Sequence, residues 1–322
     1  VDRCRICAQP ATASLGAYRF CARHRERAVR QRTSLWRADL LSLGVLALFA
    51  IGMVALQGAL APDLSDETLI VIGGLLALVP AAVWLAFFWR RDRLEPEPAG
   101  MVLGVLVLGW LVAGALASPI LAPLTDLANR LDGAGLGTEL LARILVTGVV
   151  QMTLIYLIVR LSVYTSPEFD EWTDGILYGT AAGLGLATWG NMAFIVDAGG
   201  AELGAAALRI TLNALVLGSL GGLVGWFLGH DRLEVRPVWW MPAGILLAAA
   251  LDGIYWVLRS SFSGGLAGPV TTFGGLVLAI VLAAGVTAFL AISVQRELSQ
   301  VLRGAGVDAG PEPRPGSGGG VA

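Results

Sequence analysis

Long apolar stretches alternate with short polar ones along almost the whole chain. Those at approximately 40–61, 69–89, 99–123, 140–164, 174–197, 206–229, 238–258 and 269–294 are long enough to be helices that cross a bilayer. About 20 apolar residues, rising 1.5 Å each, span roughly 30 Å of hydrocarbon. The pattern predicts an all-α integral membrane protein of about eight transmembrane helices. It divides the chain into a leading segment, 1–38, a bundle, 39–295, and a tail, 296–322. The tail's "GVDAGPEPRPGSGGGVA" is rich in Gly and Pro with almost nothing to bury, so it is expected to be disordered.

Composition supports this picture. The chain has 322 residues, 56% hydrophobic and 14% charged, with a mean hydropathy of +0.73. Those values exclude a soluble globule. The leading segment is rich in arginine and lacks an apolar core, so no signal peptide is expected.

Charge adds orientation. Lysine is absent, and arginine gathers in alternate loops: from Arg3 to Arg37, at Arg90, Arg91 and Arg93, at Arg232 and Arg236, and at Arg296, Arg303 and Arg314. The positive-inside rule places these segments, and so both termini, in the cytoplasm. A net charge of −2 gives no reason to expect nucleic-acid binding.

The leading segment also carries "CRIC" (Cys4, Cys7) and, thirteen residues later, "CARH" (Cys21, His24). Three thiolates and one imidazole at this spacing make a tetrahedral zinc set with no open position, which is a structural site. Metal binding would supply folding energy that so short a module cannot draw from a core. The alternative is unrelated thiols in a flexible arm. The flanking "RHRERAVRQR" suits either contact with anionic headgroups or a solvated flank that fixes topology.

Ionisable and amide side chains are costly inside a membrane, so they mark candidate chemistry. The deep ones are Gln57, Gln151, Asn191, Asn213 and Asp252, with Arg143 and Arg209 near the outer ends of their spans. Asn191, Asn213 and Asp252 fall roughly 10 Å below the outer surface, with Gln151 deeper. Gln151, Asn191, Asn213 and Asp252 are therefore a candidate polar cluster drawn from four helices. Gly175, Gly179 and Gly183 repeat at every fourth position, as do Gly221, Gly225 and Gly229, with Gly218 and Gly222 beside them. Small residues so spaced clear a groove for close helix packing. Asp174, at the start of its helix, is placed to cap free amides. His230 and the tryptophans Trp84, Trp89, Trp110, Trp172, Trp239 and Trp240 are expected at the membrane interface.

Several stretches resemble the PrsW-type intramembrane proteases. "RRDRLEPEP" (Arg90 to Pro98) is similar to that family's acidic-proline motif before a span. "FDEWTDGILYGTAAGLGLATWGN" (Phe169 to Asn191) is similar to its Asp-Gly…Tyr-Gly…Gly-Leu-Gly…Glu-Asn helix. "GLVGWFLG" (Gly222 to Gly229) and "LDGIYWVL" (Leu251 to Leu258) resemble the two helices that follow. The resemblance implies a bacterial inner-membrane protein that cuts peptide bonds inside the bilayer with glutamates and histidines, with or without a metal. This chain departs from the pattern at each such place. The paired glutamates fall near Val150 and Gln151, a third on Gly190, and the histidines near Leu217 and on Asp252.

Hydrolysis needs an activated water, and amides do not titrate near neutral pH. Asp252 is the one deep carboxylate, open to three readings: an ion pair with Arg209 or Arg143, a binding group, or a base. The function expected is a protease-like bundle that has lost its chemistry and binds a partner protein's membrane segment as adaptor or regulator. The alternatives are an active protease rearranged around Asp252 and a small-molecule transporter. Against transport, the halves show no inverted repeat.

Overall fold

The computed structural model describes residues 9–15, 18–23, 44–55, 65–91, 97–131, 134–199, 203–265 and 269–304. Contacts divide the chain into two units, one drawn from Val1–Ser34 with Ala291–Ala322, the other from Leu35–Leu290. In the first, β1 (Ala13–Leu15) and β2 (Tyr18–Phe20) pair antiparallel with Ser14 opposite Arg19. This hairpin adds a small sheet to the all-α expectation. Cys21 follows it and is buried, whereas Cys4, Cys7 and His24 lie outside the described residues.

The second unit is helical. Its elements are α1 (Gly44–Ala55), α2 (Asp66–Arg91), α3 (Ala99–Leu116) and α4 (Ala122–Arg130). Then come α5 (Leu136–Ala142), α6 (Val149–Ser162), α7 (Trp172–Asp197), α8 (Leu203–Leu233) and α9 (Trp240–Gly265). The last helix, α10 (Pro269–Gly304), runs from this unit into the first.

Wide π-helical turns join α3 to α4 at Ala117–Leu121 and α5 to α6 at Arg143–Gly148. The first contains Pro119, which has no amide to donate and crowds the carbonyl one turn back. In the second, Thr147 Oγ1 donates to Arg143 O at 2.7 Å, a side-chain bond that competes with the backbone ladder.

Among the described residues, six helices are long and apolar enough to cross a membrane. The protein is an integral membrane protein. Helix α7, although 26 residues long, is not one of the six, and its position explains why. Every residue from Asp174 to Thr188 is buried, so this helix faces protein on all sides. It needs small side chains more than apolar ones. A Cβ on Gly175, Gly179 or Gly183 would run into the carbonyl oxygens of Gly225, Gly221 and Leu217 on α8. On another side Gly185 meets Leu106 O, and Gly109 lies against Ala182 O, which brings α3 equally close.

Several helices outrun the apolar stretches that announce them. Helix α9 continues past 258 to Gly265, which puts Asp252 near its middle instead of close to its outer end. Helix α10 continues past 295 to Gly304, so the start of the expected disordered tail is helical.

Candidate functional site

Gln57 lies outside the described residues, and among the other deep polar groups the two asparagines bond to each other. On α7 and α8, Asn213 Nδ2 donates to Asn191 Oδ1 at 2.7 Å, and Asn191 Nδ2 donates to Ile210 O at 3.4 Å. Asn191 is 1% exposed. Beneath the pair, Ile195, Ala77, Ala206 and Ile210 form a compact apolar cluster. Gln151, on α6, is half-buried.

Asp252 lies on α9. It is 1% exposed and neither of its oxygens accepts a hydrogen bond among the described residues. None therefore links it to the asparagine pair. The favourable charge acting on its carboxylate is Arg143. The wide turn at Arg143–Gly148 brings Ile144 against Gly253 and Gly148 against Ala249, so this segment and α9 nearly touch. Arg143 Nη2 donates to Asn129 Oδ1 at 3.0 Å, and its guanidinium sits 5.5 Å from the Trp256 ring, one helical turn beyond Asp252. Arg209 is engaged elsewhere, over the Phe194 ring at 4.0 Å.

A third polar group, absent from the sequence reading, lies at the other end of the bundle. Glu97, just ahead of α3, is 7% exposed and accepts the Tyr178 hydroxyl at 2.5 Å. It also hydrogen-bonds Asp174, so one of the two carboxyls holds a proton. Burial pushes the Glu97 carboxyl above the usual carboxylate range, and Glu168 and Asp170 add to the push, while the bonds from Tyr178 and Asp174 oppose it. Asp174 Oδ2 accepts the amides of Asp170 at 3.0 Å and Glu171 at 2.6 Å. Asp174 is thus the N3 residue of a capping box whose N-cap is Glu171, and it reaches back over the helix start. Phe169 stacks on Tyr178 at 6.0 Å and covers the group.

His230, expected at the membrane interface, is enclosed by aromatic rings near the end of α8. It is 1% exposed, among the rings of Trp226 at 4.4 Å, Trp172 at 5.4 Å and Trp240 at 6.4 Å. Its Nδ1 pairs with Trp226 O at 2.9 Å. Trp84, expected at an interface, is buried because Gly218 leaves a notch for its ring.

Glu97, Asp174, Asn191, Asn213 and Asp252 all lie within residues 97–286, which match the model of the "PrsW family intramembrane metalloprotease". The chain belongs to the PrsW family. It is 28% identical over 189 residues to the Protease PrsW of Bacillus subtilis, covering 58% of this chain and 82% of that protein. It is 28% identical over 185 residues to the Protease PrsW of Geobacillus kaustophilus, covering 56% and 77%. With the Protease PrsW of Halalkalibacterium halodurans the identity is 26% over 183 residues, covering 56% and 79%. No solved structure matches.

The family's description implies a metal, and the donors in this PrsW-family bundle do not suit one. Asn191 Oδ1 is already occupied by Asn213, and Asp252 is a single carboxylate under the charge of the Arg143 guanidinium. Among the described residues, no group of three or more His, Cys, Asp or Glu side chains is arranged to hold a metal ion. A catalytic zinc takes three protein ligands, typically imidazoles with a carboxylate or thiolates.

Proposed function

We propose that this PrsW-family chain binds a partner protein's membrane segment and does not hydrolyse it. The observation that carries this reading is the Asn213–Asn191 hydrogen bond. Where the family resemblance sets a glutamate beside Asn191, the chain has Gly190, and the neighbouring polar atoms satisfy each other. Amides can neither take a proton from water near neutral pH nor hold one for a leaving amine. Asp252, opposed by Arg143, is an ionic fixture between α9 and the wide turn. Both termini lie in the cytoplasm, as the arginine distribution requires. There Cys4, Cys7, Cys21 and His24 hold a structural zinc that gives the leading segment its fold and a contact surface.

The test is complementation. The abundance of inner-membrane proteins is compared in cells with no copy, with wild type, and with Asp252→Asn at equal chain levels. The same proteins shift when the gene is lost, and both versions restore them equally. Restoration by wild type alone would mean that the carboxylate does chemistry, and the binding account would fall.

A further inference from the structure

Helix α8 is packed on nearly every side, yet one stripe of it is open. Of residues 206–225, Arg209, Asn213 and Leu217 are half-buried and the rest are buried. Spaced by four, the three share one helix face. That face looks at α7, since Asn213 bonds to Asn191, Arg209 lies over Phe194 and Leu217 O meets Gly183. Farther along, Gly221 and Gly225 continue the face and are sealed against Gly179 and Gly175. The α7–α8 seam is therefore shut along its glycines and parts toward the Leu203 end of α8.

Helix α7 changes in step. Asp174 to Thr188 are buried, whereas Trp189, Gly190 and Phe194 are half-buried. One flank of the parted seam is filled by Ile195, Ala77, Ala206 and Ile210. At Gly190 a Cβ would meet nothing within 4 Å, so this position borders open space.

The cleft carries a charge that the bundle leaves unanswered. Arg209 stands six residues, about 9 Å, inside the start of α8 at Leu203. Its Nε is buried with no hydrogen-bond partner. The charge acting on it, among the described residues, is that of Arg259, another cation. Arg259 takes no part in the site, because its side chain hydrogen-bonds Tyr255. Phe194, 4.0 Å from the Arg209 guanidinium, fixes the plane of that group and leaves its N–H edge to meet a carboxylate. Asn213 sets an amide about 15 Å inside the helix start, where lipid tails offer no hydrogen bond. A protein segment suits such a wall better than lipid does.

Resting on the binding reading above, we propose that the partner's membrane segment lies in the cleft beside Gly190 and pairs an acidic side chain with Arg209. Charge complementarity selects this occupant. A neutral segment leaves the cation unpaired in a poorly hydrated place, and a basic one adds repulsion.

The experiment follows fluorescence energy transfer between the full chain and a leucine–alanine transmembrane peptide in phosphatidylcholine vesicles. Three peptides are compared, carrying one glutamate, glutamine or lysine about two turns inside one end. Wild type binds the glutamate peptide about tenfold more tightly than the glutamine peptide, and the lysine peptide most weakly. Arg209→Gln abolishes the preference. Arg209→Lys keeps the charge, guards against a folding failure and retains part of it. Gly190→Leu, which fills the open space, weakens binding of every peptide. A glutamate preference that persists in Arg209→Gln would overturn the assignment to Arg209. Equal binding of the glutamate and glutamine peptides to wild type would overturn the acidic contact; if Gly190→Leu still weakens both, the binding reading stands without it. Binding of no peptide would overturn the cleft as a docking place, and the complementation test decides separately whether the chain acts by binding.

Discussion

Asn213 donates to Asn191 across the α7–α8 interface, in a layer where no water takes over if one amide is lost. Removing either side chain strands the other, so Asn191→Ala and Asn213→Ala should each cost about 1–3 kcal/mol. The double variant should cost less than their sum, with a coupling of about 0.5–1.5 kcal/mol. A double-mutant cycle of unfolding in detergent measures it. Glu97 makes a prediction with a sign. Its raised pKa means that the folded chain keeps a proton the unfolded chain gives up above about pH 4. Stability contributed there is present at low pH and falls as pH rises through the folded value. Glu97→Gln, which stays neutral, should flatten thermal stability against pH; an unchanged slope would contradict the shared proton. The asparagines were legible in the sequence because amides stand out in apolar runs. The Glu97–Asp174 contact was not, because both residues flank spans and only the fold brings those flanks together.

Between elements, the closest approaches run along α7, and the glycine spacing displayed one of the two seams. Gly175, Gly179 and Gly183 repeat with the helix, whereas Gly109 on α3 stands five residues from both Gly104 and Gly114, and its partner Gly185 falls off the ladder. The wide turn at Arg143–Gly148 was equally hidden, since Thr147 gives no sign in sequence that it bonds backward. Helix ends were misjudged where polar turns such as "RSSF" after Leu258 continue a helix beyond its apolar part. The seam is testable by contrast. A Cβ on Gly179 would strike Gly221 O, while one on Gly190 meets nothing within 4 Å. Gly179→Ala should therefore lose about 1–3 kcal/mol by forcing α7 and α8 apart. Gly190→Ala should range from neutral to about 1 kcal/mol more stable by helix propensity. Thermal unfolding of the two variants side by side decides it, and equal losses would deny the seam.

At the scale of the molecule, a central helix wrapped by α8, α3 and α2 explains why α7 is rich in small residues and is not among the six most apolar helices. Helix α7 is hidden from lipid, so its composition answers to packing. The family membership followed from the order of motifs around that helix, and the same motifs exposed the places where acids and histidines are replaced. The most direct measurement is a census of new protein N-termini in membranes of cells carrying wild type, Asp252→Asn or no copy of the gene. A bundle that binds without cutting predicts the same N-termini in all three. Fragments present only with wild type would show that the bundle still cuts and that Asp252 belongs to its active site.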